Sequence, residues 1–117
     1  MKKSLNKLQT EDLSFFHSRE DLLTIPTDMD FLYEKQIPHA VLALLHGEIQ
    51  LMKRSKPREI IPSGHILGIH HILNDEPVNM GCKILKGSKI VLIGKFELLE
   101  AFRFTDSKLY QLIKKFL

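Results

Sequence analysis

Apolar and polar residues alternate along the middle of the chain with the period of β-strands. In residues 48–53, Ile49 and Leu51 alternate with Glu48 and Gln50, which predicts one buried face and one wet face. Short apolar runs broken by Gly, Pro, Asn or Asp continue from residue 24 to 93, a spacing typical of an antiparallel sandwich or barrel. The predicted strands cover residues 31–35, 40–47, 48–54, 59–63, 82–87 and 89–95.

Both ends of the chain have the period of helices instead. Residues 4–23 predict a short helical lead-in, with Thr10 as an N-cap. After Gly94 the helical period returns, and Asp106 or Ser107 is placed to cap the last helix. We expect the apolar stripe of that helix to pack against the β-structure, and the alternative is a dimer or partner face. The stripe consists of Leu109, Leu112, Ile113 and Phe116.

This order of elements predicts an α+β fold that is mainly β: an antiparallel jelly roll or β-barrel flanked by N- and C-terminal helices. The 117 residues, 44% of them apolar, suit one compact core, so we expect a single domain over residues 1–117. Within it, we expect a helical lead-in (1–23), a β-roll (24–94) and C-terminal helices (95–117). Gly47 interrupts a strand pattern, which predicts a bulge or a sharp bend.

Three segments of the chain resemble the cyclic nucleotide-binding domain family. Residues 32–53 resemble the strand–turn–strand that opens these domains. Residues 58–85 are similar to the central segment, with its Pro-x-Gly turn, phosphate-binding cassette and following strand, and residues 89–102 are similar to the last strand and the helix after it. The resemblance extends over about residues 28–104 and implies the β-roll of that family.

The resemblance also implies a ligand site, at which this sequence departs from the family pattern. The cassette of the family reads Phe-Gly-Glu-Leu-Ala and then Arg-Ser/Thr-Ala, and its glutamate binds the ribose hydroxyl while its arginine neutralises the cyclic phosphate. Ile69 and Val78 occupy these two positions and can do neither. The candidate ligand-binding residues carried over from the resemblance are Gly68, Ile69, His70, His71, Val78, Asn79 and Met80.

The two substitutions predict a degenerate cassette that does not bind cAMP or cGMP in the usual way. Losing the charged contact costs about 2–5 kcal/mol and losing the ribose hydrogen bond about 1–2 kcal/mol, which turns a micromolar site into a roughly millimolar one. Apolar side chains at Ile69 and Val78 can pack instead. The alternative is a sensor for a cyclic nucleotide or another anionic ligand, held by N–H groups after Gly68 with His70 or Asn79.

Other chemistry has little support in the sequence. Neighbouring His70 and His71 diverge by about 100° on a helical turn, so we expect two surface or rim histidines and neither a metal site nor a cofactor. The chain lacks a Gly-x-Ser-x-Gly elbow, a Gly-rich phosphate loop and a His-Glu-x-x-His helix, which predicts that it is not an enzyme. The single cysteine, Cys82, is predicted to be a small buried apolar group.

Charge and hydropathy define the expected partners. A net charge of +3 is too diffuse to predict direct nucleic-acid binding, and no apolar stretch predicts a membrane span, so we expect a soluble cytoplasmic protein. No helix-turn-helix follows the β-roll, so we expect the output to pass through another signalling protein, or through a second copy bound at the C-terminal helix. The basic run 53–58 is predicted as a solvated hairpin turn and alternatively as a docking patch. The candidate partner residues are Tyr110, Lys114, Lys53, Arg54, Lys56 and Arg58.

Overall fold

The structure is a computed structural model that describes residues 5–117. The part of the predicted lead-in before Leu5 lies outside the described residues. The strands are β1 (Leu5–Lys7), β2 (Leu23–Thr24), β3 (Met29–Leu32), β4 (Ala40–His46), β5 (Glu48–Lys53), β6 (Lys56–Pro62), β7 (His65–Leu67), β8 (Gly81–Ile84) and β9 (Lys89–Gly94). The helices are α1 (Thr10–His17), α2 (Ile69–Leu73), α3 (Lys95–Ala101) and α4 (Lys108–Ile113), which a 3₁₀ turn (Lys114–Phe116) extends.

The strands form two antiparallel sheets. One has the order β1-β7-β4-β9-β2 and the other the order β3-β8-β5-β6. Strand β4 pairs with both β7 and β9, and β5 pairs with both β6 and β8. The predicted mainly β fold with flanking helices is therefore confirmed, and the described strands form two separate sheets instead of a closed barrel.

Two apolar clusters lie on opposite faces of the five-stranded sheet. Alternate residues of β4 supply both clusters, because successive side chains of a strand point to opposite faces. The helix-side cluster lies between this sheet and the helices and contains Leu8, Phe16, Val41, Ala43, Leu45, Ile66, Ile69, Ile72, Val91, Ile93, Leu98, Leu112 and Ile113. The inter-sheet cluster lies between the two sheets and contains Ile25, Leu32, Leu42, Leu44, Ile49, Leu51, Ile61, Leu67, Val78, Cys82, Ile84 and Ile90.

The turn between β4 and β5 requires glycine. Gly47 has φ +93°, and a Cβ atom there would lie 2.6 Å from the Cα of Ser88. Ser88 is fully buried, and its hydroxyl accepts a hydrogen bond from the Glu48 N–H and donates one to the Glu48 carbonyl. The register between β4 and β9 shifts close to this point, between Leu44 and His46. Of the two alternatives predicted for Gly47, a bulge or a sharp bend, Gly47 itself forms the bend, and the irregularity in register lies just before it.

The N-terminal lead-in is only partly helical, which corrects the prediction. Strands β1 and β2 lie in it, at the two edges of the five-stranded sheet, where they pair with β7 and β9. Helix α1 begins at Thr10 and its N-cap is Gln9, one residue earlier than predicted. The carboxylate of Asp12 accepts a hydrogen bond from the Gln9 N–H at 2.9 Å, so Asp12 stabilises the start of the helix.

The C-terminal helix has the packing that its stripe predicted. Leu112 and Ile113 are buried in the helix-side cluster, and Leu109 and Phe116 are half-buried against it. Ser107 is the N-cap, and its hydroxyl accepts a hydrogen bond from the Tyr110 N–H at 3.1 Å. The stripe is therefore part of the core. No helix among residues 5–117 has the length and apolar character needed to cross a membrane.

Ion pairs connect the first helix to the C-terminal helices. Lys115 Nζ lies 2.6 Å from Oδ1 of Asp12, whose side chain is almost fully buried. Arg19, just after α1, pairs with Asp21 at 2.9 Å and with Glu97 of α3 at 3.0 Å. Its hydrogen bond to Asp21 lowers the pKa of that carboxyl below the ordinary value. Residues distant in sequence are thus joined on the outside of the helix-side cluster.

Candidate functional site

The candidate cassette begins where β7 passes into α2. Gly68, between them, has φ +102°, a conformation that favours glycine, and is the N-cap of α2. The helix that follows has five residues, Ile69–Leu73, and ends at a turn in which Asp75 has φ +51°. Lys95 at the start of α3 forms an ion pair with Asp75 at 2.8 Å. A short helix therefore follows Gly68, and the ion pair joins the turn after it to α3.

The two positions that differ most from the family pattern are both buried. Ile69 is fully buried in the helix-side cluster, together with Ile72 from the same helix. Val78 is 1% exposed and belongs to the inter-sheet cluster. The family pattern implies that both positions contact one ligand, whereas here their side chains belong to separate clusters on opposite faces of the sheet.

The backbone of Val78 is bound by the segment that follows β3. Its N–H donates to the carbonyl of Gln36 at 2.9 Å, and its carbonyl accepts from the N–H of Lys35 at 2.8 Å. The Gln36 side chain in turn accepts a hydrogen bond from the Tyr33 N–H at 3.0 Å. Residues 33–36 therefore hold the end of the cassette in place through hydrogen bonds within the protein.

Asn79 and Met80 continue from Val78 in two different environments. Asn79 is exposed, and its carbonyl accepts a hydrogen bond from Lys53 Nζ at 3.0 Å. Met80 is half-buried and packs against the inter-sheet cluster. The same ammonium group of Lys53 lies 3.7 Å from Oε2 of Glu34. Lys53, a candidate partner residue, thus connects the β5–β6 hairpin to the cassette.

The other basic residues lie on that hairpin. Arg54 and Ser55 both have positive φ (52° and 65°), which is the geometry of a type I′ hairpin turn. Arg54, Lys56 and Arg58 are exposed, although the Arg54 N–H donates to the Glu34 carboxylate. A hairpin turn is present as predicted, but it occupies only residues 54–55, and the rest of the basic run 53–58 belongs to β5 and β6.

The environment of the two histidines corrects the expectation of surface or rim positions. His70 is half-buried, but His71 is only 8% exposed. Nδ1 of His71 is buried and has no hydrogen-bond partner in the described part of the chain. Helical periodicity alone did not indicate this burial, because a helix of five residues is too short to establish which of its faces is covered. Among residues 5–117, no group of three or more His, Cys, Asp or Glu side chains is arranged to hold a metal ion.

The sequence was also compared with known proteins. No family model and no curated protein matches it. Solved structures do match its fold. One belongs to a study of a cyclic-GMP-dependent signalling pathway that regulates bacterial phytopathogenesis: the match covers 94% of this chain and 91% of that one, with a TM-score of 0.71 and 13% identity.

Two further matches come from named organisms. The catabolite activator protein of Thermus thermophilus matches 89% of this chain, which spans 47% of that protein, with a TM-score of 0.63 and 12% identity. A putative cyclic nucleotide-binding protein from Geobacter metallireducens GS-15 matches 93% of this chain over 81% of its own length, with a TM-score of 0.62 and 19% identity. The chain has the fold of cyclic nucleotide-binding domains. At these identities the likeness concerns the fold alone.

Within this cyclic nucleotide-binding fold, the C-terminal candidate residues are partly engaged in contacts of their own. Tyr110 is half-buried, and its ring packs edge-on against Phe102, with centroids 5.7 Å apart. Lys114 is exposed, and its Nζ lies 6.0 Å from the centroid of the Tyr110 ring. Tyr110 therefore joins α3 to α4, and Lys114 covers it from outside.

Two features of the surface were not predicted from the sequence. On α3, Phe96 and Leu99 are exposed at a spacing of three residues, one helical turn apart. Between α1 and α4 there is a groove of about 450 Å³ with Phe15 and Leu112 among its lining residues. A groove between two helices that are distant in the sequence leaves no local pattern by which it could be found.

Proposed function

We propose that this chain is a non-enzymatic signalling or adaptor domain of the cyclic nucleotide-binding fold that does not bind cAMP or cGMP in the usual way and acts through protein–protein interaction. The observation that supports the proposal is the burial of Ile69 and Val78 in two separate apolar clusters. Neither side chain can bind a ribose hydroxyl or a phosphate. Both stabilise the domain without any ligand.

The energetic reason is that the two replaced groups are the charged ones. Without the arginine that contacts the phosphate, the free energy of nucleotide binding is weaker by about 2–5 kcal/mol. Without the acceptor for the ribose hydroxyl, it is weaker by about 1–2 kcal/mol more. A buried glutamate and arginine would also need a ligand or each other, because unpaired charges are costly inside a protein. Ile69 and Val78 remove that requirement, so the folded state does not depend on a nucleotide.

The experiment is isothermal titration calorimetry with cAMP and cGMP, together with a thermal-shift measurement. We expect no saturable heat and no change in melting temperature at tens of micromolar nucleotide. A ligand at a hundred times its dissociation constant would add about 2.7 kcal/mol of stability, which both methods would detect. A dissociation constant in the low micromolar range for either nucleotide would overturn the proposal.

A second candidate function rests on His71. Its buried and unpartnered Nδ1 belongs to the cassette helix, and a buried polar atom without a partner is unfavourable unless a ligand or an ordered water satisfies it. This favours a sensor for a different small anionic or polar ligand. The test is a thermal-shift screen of cyclic mono- and dinucleotides and inorganic phosphate against the wild type and His71→Phe. A ligand that stabilises only the wild type would support the sensor.

A further inference from the structure

The groove between α1 and α4 has opposite charges at its two ends and an apolar floor. Its walls are stripes of equal length, residues 11–18 on one side and 108–115 on the other. The ion pair between Asp12 and Lys115 joins the start of the first stripe to the end of the second, and Lys108 lies seven residues before Lys115, about 10 Å away along the helix. Lys108 therefore belongs to the end of the groove opposite Glu11.

Glu11 and Lys108 are the charges available to a ligand. Both are exposed, and neither forms an ion pair within residues 5–117. The charges of Asp12 and Lys115, by contrast, already satisfy each other at 2.6 Å. Among the described residues, the carboxylate at one end of the groove and the ammonium group at the other end thus have no ion-pair partner.

The floor lies between these charges. Phe15 is half-buried, with its ring edge-on to Phe16 at 5.2 Å, and Leu112 is buried in the helix-side cluster. Each stripe has eight residues, which at 1.5 Å per residue gives a groove about 10 Å long. An extended peptide advances about 3.3 Å per residue, so about three of its residues span the groove.

From these observations we propose that the groove binds a short peptide segment of a partner protein, with a basic residue at Glu11, an apolar residue on Phe15 and an acidic residue at Lys108. This inference rests on the proposed function, because it identifies the surface by which the domain would recognise its partner. A central apolar anchor with charged flanks is the usual arrangement at peptide and protein interfaces.

The test uses the full chain and the peptide acetyl-Lys-Trp-Glu-amide. The protein has no tryptophan, so the fluorescence of the peptide reports binding without background from a second indole. We expect saturable binding in which Glu11→Gln and Lys108→Gln each weaken affinity about two- to fivefold, as expected for exposed ion pairs. The matched controls Glu59→Gln and Lys86→Gln change exposed charges on other elements and should leave affinity unchanged.

Specific contacts are tested by changing both sides. The peptide acetyl-Gln-Trp-Glu-amide should bind wild type and Glu11→Gln equally, because the lysine that Glu11 contacts is absent. Phe15→Ala should weaken peptide binding about tenfold. In the NMR spectrum of the wild type, the amide shifts that the peptide causes should be confined to α1 and α4. This second measurement keeps the test valid if Phe15→Ala is poorly folded.

No saturation at millimolar peptide, shifts outside α1 and α4, or equal affinity for N-acetyl-tryptophanamide would overturn the peptide groove. The last outcome would indicate a small-molecule site. These outcomes are distinct from the one that would overturn the proposed function, because only tight binding of cAMP or cGMP would overturn that.

Discussion

The helix-side and inter-sheet clusters share one sheet but differ in how they are built. The inter-sheet cluster consists almost entirely of strand residues, which on β4 and β9 alternate with residues of the helix-side cluster, and the cassette adds only Val78 to it. The helix-side cluster joins the same sheet to α1, α3 and α4 from the two ends of the chain and to α2 from its middle. The helix side thus depends on contacts between distant segments, and the cassette contributes to both sides through Ile69 and Val78.

The largest expected effect comes from restoring the family charges. Ile69→Glu and Val78→Arg should each lower the free energy of unfolding by about 3–5 kcal/mol, because each buries an unpaired charge. The losses in the double variant should add, since the two side chains lie in different clusters. Urea unfolding measures the free energy of unfolding of the two single variants and the double variant.

The control variants for this comparison are Ile69→Val and Val78→Ile, which keep the positions apolar and should cost about 1.5 kcal/mol or less. A double charged variant that is more stable than either single one would show that the two side chains meet. That result would contradict the separation of the clusters at the cassette.

A smaller effect is expected from a matched pair of cavities on β9. Ile93 and Ile90 are both fully buried, the first in the helix-side cluster and the second in the inter-sheet cluster. Each change to Ala should cost about 2–5 kcal/mol. Hydrogen exchange should increase mainly in α3 and α4 for Ile93→Ala, and mainly in β5 and β8 for Ile90→Ala. Identical exchange patterns would mean that the two clusters unfold as one unit.

The smallest effect is expected from the thiol of the inter-sheet cluster. Burial raises the pKa of Cys82 to about 12, from an ordinary value of 9.0. Below pH 9 the thiol is protonated in both states, so its contribution is fully present. Above pH 9 the unfolded chain loses the proton while the folded one keeps it, so stability falls by up to about 1.4 kcal/mol per pH unit until the folded pKa is reached.

Urea unfolding at pH 9 and pH 10 measures this slope, with Cys82→Ala as the control for all other titrating groups. The wild type should lose more stability than the variant over this interval. Equal slopes would indicate that the thiol is accessible to water in the folded protein, and iodoacetamide would then modify it without unfolding.

The prediction of the fold was accurate for three of the longer strands and failed for the shortest ones, while β6 (Lys56–Pro62) begins three residues before the predicted strand 59–63. The residues of β4, β5 and β9 were predicted to within one residue at each end, because their apolar runs are bounded by glycine, proline or charged residues. Strands β1, β2 and β7 were not predicted. They have two or three residues each, too few to establish a period, and exist because a neighbouring strand offers them hydrogen bonds.

The prediction of the candidate site was limited in the same way. The resemblance identified two uncharged positions in the cassette, and the structure buries both Ile69 and Val78 and places Ile69 on a short helix after Gly68. It did not indicate that these side chains enter different clusters, nor that His71 is buried with Nδ1 unpartnered. The faces that residues of a five-residue helix present depend on what packs around it.

The sequence by itself determined the local features of this protein. Alternation in β5 requires one buried face, the glycine at position 47 indicates a break in the strand pattern, and the stripe of the last helix requires a core to pack against. These follow from the backbone and from the solvation of nearby side chains. Only the tertiary structure decided which cluster receives Ile69 and Val78, and which helices form the groove. Such choices depend on contacts between segments far apart in the chain, as the pairing of Asp12 with Lys115 illustrates.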